Sequence, residues 1–158
     1  MSEIDRIIDQ LEREHAGDPW HGSPLSAILD GITAGDAALK PLAGAHSIWE
    51  LVLHMTAWKR EVRRRLSGAA AALPEDGDWP EVGDPTEKRW VAARTRLEDA
   101  HRQLLTDIRA MPESQLHTPT NDPRDHPTGA GVSFYQLLHG IVQHDVYHTG
   151  QIALLKKR

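Results

Sequence analysis

The 158-residue chain contains no cysteine, which excludes disulfides, thiolate metal sites and a cysteine nucleophile, and leaves His, Asp and Glu as its strong side-chain ligands. Aromatic residues are scarce, with one Phe and two Tyr beside five Trp. No apolar run approaches the roughly 20 residues needed to cross a bilayer, so no membrane partner is expected. The first residues lack the basic segment, apolar stretch and small-residue cleavage site of a signal peptide, which makes the cytoplasm the expected compartment. A net charge of −5 gives no electrostatic reason to expect nucleic acid as a partner. The local exception, Arg60, Arg63, Arg64 and Arg65, reads as a solvated helix end. There is no Gly-rich phosphate loop after a strand and no serine on a strand-to-helix turn, so nucleotide chemistry and Ser-His-Asp catalysis both lack a scaffold.

What is present is an ordinary globular composition, 39% hydrophobic and 26% charged, with ten histidines. The length suits one domain over 1–158. Ile4, Ile7, Ile8 and Leu11 repeat at helical spacing between Ser2 as cap and Gly17 as stop. The stretch from Gly17 to Ala45 is so rich in Gly and Pro that one brief helix is expected there, at about 24–31. From His46 to Leu66 a long stripe (Ile48, Leu51, Val52, Met55, Trp58, Val62, Leu66) predicts the strongest helix of the first half. The segment up to Pro85 reads as an exposed loop. Thr86 to Met111 is helical again, through Trp90, Ala93, Leu97, Ala100, Leu104 and Ile108, and a Pro- and Asn-rich link follows through Gly131. Ser133 caps a last helix with Phe134, Leu137, Leu138, Ile141, Ile152 and Leu155 inward. The fold class is therefore all-α: a four-helix bundle, expected to be antiparallel, with an extra short helix and with long connections at 17–45 and 67–85 that fold over one end and shape a pocket.

Residues four apart on a helix stand on one face, with Cβ atoms about 5–6 Å apart, so two imidazoles at that spacing can bind one metal ion. His144 and His148 have this spacing. His148 falls within the apolar stripe and His144 at its edge, so both turn toward the interior. Burying two unpartnered imidazoles is costly, and a shared cation relieves the cost. The third ligand must come from another helix, and periodicity divides the choice almost evenly between His54 and His101. His139 projects away from the stripe, and His15, His21, His46, His117 and His126 sit in or beside loops, where surface or capping roles are expected.

The segment His46-Ser47-Ile48-Trp49-Glu50-Leu51-Val52-Leu53-His54-Met55-Thr56-Ala57-Trp58, together with Gln143-His144-Asp145-Val146-Tyr147-His148-Thr149-Gly150-Gln151-Ile152, resembles the DinB-like superfamily, in particular its YfiT-like branch. Trp20-His21-Gly22 before a short helix fits that branch as well. The resemblance implies a four-helix bundle holding one divalent ion, Ni or Zn first and Mn or Fe next, on His54, His144 and His148, which decides against His101. Three neutral imidazoles leave coordination positions open, as a catalytic site does. Such an ion acidifies bound water or a bound thiol. The resemblance favours a transferase that uses an external low-molecular-weight thiol, over a hydrolase or a non-catalytic, stress-related metal-binding bundle. A small-molecule substrate is expected, and a homodimer is compatible with the bundle. Supporting roles fall to Asp145, as acceptor for an imidazole or partner of a neighbouring helix, and to Gln151, near His148. Trp58, Trp49 and Tyr147 are pocket or core candidates, although Tyr147 points off the stripe.

Overall fold

In the computed structural model, which describes residues 1–124 and 132–157, the chain forms α1 (Glu3–Ala16), α2 (Leu25–Leu29), α3 (Ala34–Ala38), α4 (Ile48–Leu66), α5 (Glu87–Ala110) and α6 (Phe134–Lys156), with one 3₁₀ turn at Glu113–Gln115. Among the described residues there is no strand, only an isolated bridge between Pro119 and Ser133, and no helix long and apolar enough to cross a membrane. Three of the four long helices begin with a capping box, Ser2 with Asp5, Ser47 with Glu50 and Ser133 with Gln136. In each, two otherwise orphaned amides are satisfied reciprocally.

Two short helices, rather than one, occupy the Gly- and Pro-rich connection. The Thr33 hydroxyl accepts from the Asp36 amide at 3.2 Å and starts α3, while Gly31, at φ 72°, turns the chain between the two helices in a conformation that Cβ disfavours. The long connections also change the helix directions. Trp49 meets Trp90 and Arg63 meets Gln103 and Asp107, so α4 and α5 run parallel. Glu3 lies near His139 and Glu14 meets Thr149, which makes α1 and α6 parallel too. The expectation of an antiparallel bundle is corrected in this respect. The connection between Leu66 and Glu87 is long enough to return the chain to the end where α4 began, whereas a short loop would force an antiparallel neighbour.

The core is divided in two. Leu25, Leu29, Trp49, Met55, Trp90, Leu97 and Ile152 pack at one end; Ile7, Leu11, Val62, Leu104, Ile108, Leu138 and Ile141 pack at the other. Between them each long helix turns polar groups inward: Glu14 and His15 from α1, Lys59 from α4, His101 from α5, Asp145 and Thr149 from α6, all at 5% exposure or less. Lys59 Nζ donates to Asp145 Oδ2, the Thr149 hydroxyl donates to Glu14 Oε1, and His15 stacks on His101 with ring centroids 3.9 Å apart. His15, expected at the surface, is thus part of the interior. Of the four arginines of α4, Arg60 and Arg64 are exposed and Arg63 half-buried, as a solvated helix end requires, and they pair with Asp76, Glu61 and Asp107, whereas Arg65 is buried against Glu61.

Burial, together with the Asp145 charge, pushes the Glu14 carboxyl up to about 7, against the opposing pull of the Thr149 hydroxyl and the Lys59 ammonium. His15 and His101 complete its surroundings. Burial and then the Lys59 ammonium hold His101 down, to about 2, and burial lowers His15, so both rings are neutral. A carboxyl that keeps its proton in the folded state while the unfolded chain ionises near pH 4.5 makes its own contribution to stability fall by up to ~3 kcal/mol as pH rises from about 4.5 to about 7, against the buried neutral histidines, whose contribution rises with pH up to about 6.5. Glu14→Gln keeps the acceptor for Thr149 and cannot ionise. In urea unfolding, the difference between this variant and the wild type is expected to be small at pH 4.5 and to grow in favour of the variant up to pH 8.

Candidate metal centre

At the margin of the polar layer, α4 and α6 bring His54, His144 and His148 together, with one ligand atom from each ring within 4.8 Å of the other two. The antiparallel contact of these two helices sets the match: His54 faces the pair on α6, and Lys59, five residues on, meets Asp145. His54 and His148 are buried and His144 is partly open. The ring centroids of His148 lie 4.7 Å from His54 and 4.5 Å from His144.

The outer nitrogens of His54 and His148 have acceptors, whereas that of His144 is buried without a hydrogen-bond partner. His54 Nδ1 lies 2.6 Å from the Asp78 carbonyl oxygen, which can only accept, so this nitrogen carries the proton. His148 Nδ1 donates to Gln151 Oε1 at 2.7 Å. His144 Nδ1 faces Asp145 Oδ1 at 3.5 Å. Burial opposes ionisation of Asp145, but the Lys59 ammonium and His144 outweigh it and hold the carboxyl below its ordinary range. An imidazole whose Nδ1 donates presents a lone pair on Nε2. His54 Nε2, which presents such a lone pair, faces His144 Nε2 at 3.0 Å, where His144 can donate its proton or both rings can turn lone pairs to one ion. An ion bound at about 2.0–2.1 Å from each nitrogen, with angles between 90° and 109°, would set them roughly 2.9–3.4 Å apart. The residues therefore fit a first-row divalent ion, with the second ring of oxygens that such sites use to fix imidazole tautomers. Burial first, and then the neighbouring rings, bring His148 down to about 4. Burial also lowers His54. Both are thus neutral near pH 7, the state that a ligand needs.

His101 lies apart, in the polar layer against His15. Asp145 combines the two roles considered for it, since one oxygen pairs with Lys59 of the neighbouring helix and the other faces His144. Gln151 bonds to His148 within its own helix rather than across to another. Trp58 stands beside His54 and His144 and donates from Nε1 to Asp78 Oδ1 at 2.8 Å. Trp49 is core, packed against Trp90, and Tyr147 is 65% exposed. His21 and His117 are exposed, and His126 lies outside the described residues.

Two site residues were not foreseen. Trp79, in the connection read as an exposed loop, stacks on His54 at 3.9 Å and on His46 at 3.4 Å. Asp78, beside it, holds both His54 and Trp58. That connection is a wall of the site. A larger cavity of about 470 Å³, lined by His15, Leu25, Glu98 and Arg102, contains none of the three histidines. A second, of about 280 Å³, opens at His144 and Trp58.

A helical bundle whose facing helices gather three imidazoles is a scaffold for binding a metal ion. The family model of the DinB superfamily matches residues 20–152, and the chain belongs to that superfamily. The match includes all three histidines and leaves α1 outside. No curated protein matches the chain.

Proposed function

We propose that this protein is a metal-dependent transferase that uses an external low-molecular-weight thiol, with one Ni or Zn ion on His54, His144 and His148. The observation that carries the reading is the convergence of these three imidazoles, with one ligand atom of each within 4.8 Å of the others, beside a cavity open to a small molecule. A divalent ion on three protein ligands supplies Lewis acidity, enough to make a bound thiol or water nucleophilic near pH 7. The chain's own residues prepare the place. Asp78 and Gln151 hold the ring protons of His54 and His148 on Nδ1, the Asp145 carboxylate stands 3.5 Å from that of His144, and Trp79 covers the face of His54 against water. The chain brings no cysteine, so a thiol nucleophile has to be external, and the superfamily resemblance favours that chemistry.

The test is elemental analysis of the purified protein, followed by incubation of the metal-loaded and metal-stripped forms with monochlorobimane and, in turn, bacillithiol, mycothiol and glutathione. Near one equivalent of metal and conjugate formation that disappears on stripping are expected. Loaded protein that conjugates none of the thiols would end the transferase reading, and thiol-independent cleavage of an ester would assign hydrolysis instead.

A further inference from the structure

We propose that the groove leading from His144, at the edge of the three-histidine cluster, to Arg65 and Arg124 seats an elongated, apolar monoanion, a carboxylate whose reactive head lies at His144 while its charge lies at the guanidiniums. The inference rests on the metal reading above and adds the substrate class.

The walls follow from helix geometry. Trp58, Val62 and Arg65 lie four and three residues apart along one stripe of α4, and Leu137, Gly140, Ile141 and His144 along one stripe of the antiparallel α6. All line the same cavity of about 280 Å³. From Gln136 to His144, its limits on α6, eight residues at 1.5 Å each make the groove about 12 Å long. Its sides are Trp58, Val62, Leu137 and Ile141, with Val132 at the far end. An apolar body of six to eight methylenes, advancing about 1.3 Å each as the projection of a C–C bond, covers about 8–10 Å of that length and leaves the rest to its two polar heads.

The two ends differ in chemistry. One is the imidazole cluster. At the other, Arg124 Nε lies 2.9 Å from Asp122 Oδ1 and Arg65 Nη1 lies 3.8 Å from the same carboxylate. Arg65 Nε and Arg64 Nε both bond to Glu61. Among the described residues, three guanidiniums share two carboxylates, and Arg124 Nη1 has no partner. The Arg124 fork formed by Nε and Nη2 is held by Asp122, so a ligand carboxylate in this place meets the remaining Nη1 donor.

Gly140 gives an independent indication. Glycine inside a helix is less stable than alanine, and no positive φ requires it here. A Cβ at this position would meet nothing within 4 Å. Neither backbone nor packing explains the residue, and its effect is to keep the middle of the groove open.

Three hydroxamates test the proposal by calorimetry on the Zn-loaded full chain, with Zn content measured separately. Acetohydroxamic acid carries the metal-binding head alone, octanohydroxamic acid adds the chain, and suberic acid monohydroxamate adds the terminal carboxylate. The chain is expected to tighten binding at least tenfold and the carboxylate at least a further fivefold. Arg124→Gln, at a largely exposed side chain, should remove the carboxylate's gain alone. Gly140→Leu should weaken both long probes at least tenfold, spare acetohydroxamic acid and leave thermal stability equal or higher. If acetohydroxamic acid binds but neither the chain nor the carboxylate adds affinity, or if Arg124→Gln keeps the carboxylate's gain, the proposal is overturned and the metal reading stands. Protein that takes up no Zn overturns both.

Discussion

His54→Ala is expected to weaken Ni or Zn binding by more than the roughly 10–100-fold that losing an outer partner of a metal-bound imidazole costs, while His101→Ala leaves the affinity unchanged. Removing His54 deletes the only ligand contributed by α4, and the two imidazoles left on α6 cannot enclose an ion from both sides. His101 sits against His15 in the polar layer, where no lone pair of it meets the other three rings. Competition against a chromogenic chelator measures both constants, and circular dichroism checks that each variant remains helical. Equal losses from the two substitutions would refute the assignment of the site to the α4–α6 face. A greater loss from His101→Ala would move it to the other side of the bundle.

The sequence makes the apolar stripes legible, because burial on one side of a helix imposes its period: Phe134, Leu137, Leu138, Ile141, Ile152 and Leu155 are all buried as the pattern on α6 requires. Helix direction is not legible in the same way, since a stripe reads alike whichever way its helix runs. The parallel course of α4 and α5 is decided by a connection that has no periodicity. The same connection hides Asp78 and Trp79. Acidic residues, Pro and Gly there signal exposure, and the one contrary sign is a tryptophan in a chain with few aromatics. The pair His144 and His148 is visible as a spacing, whereas the choice of His54 over His101 depends on rotation about α4 and α5, which periodicity leaves balanced. The polar layer does leave a trace in the sequence. Glu14 follows Leu11 by three, Lys59 follows Met55 by four and Asp145 follows Ile141 by four, so each interrupts an apolar stripe at a position due for a core residue. One such charge alone resembles the edge of a stripe; their alignment at one level of the bundle emerges only when the helices are packed.

That alignment concentrates stability in one ion pair. Lys59 and Asp145 are both fully buried, and Lys59→Met is expected to destabilise the fold by about 3–5 kcal/mol, because it leaves the Asp145 carboxylate in the interior without its cation. Coulomb attraction between buried charges offsets desolvation only while both are present, so the loss reflects the stranded partner more than the strength of the bond. The double substitution Lys59→Met with Asp145→Leu should therefore recover most or all of the stability in urea unfolding. It should not recover metal affinity. His144 Nδ1 would have lost the carboxylate that it faces at 3.5 Å, and about 10–100-fold weaker Zn binding is expected from a fold as stable as the wild type. A double variant that regained both would show that the pair serves the bundle alone. One that regained stability without affinity would show that the cation on α4 is kept because it holds an ionised Asp145 beside His144, at a position where an apolar pair would pack as well.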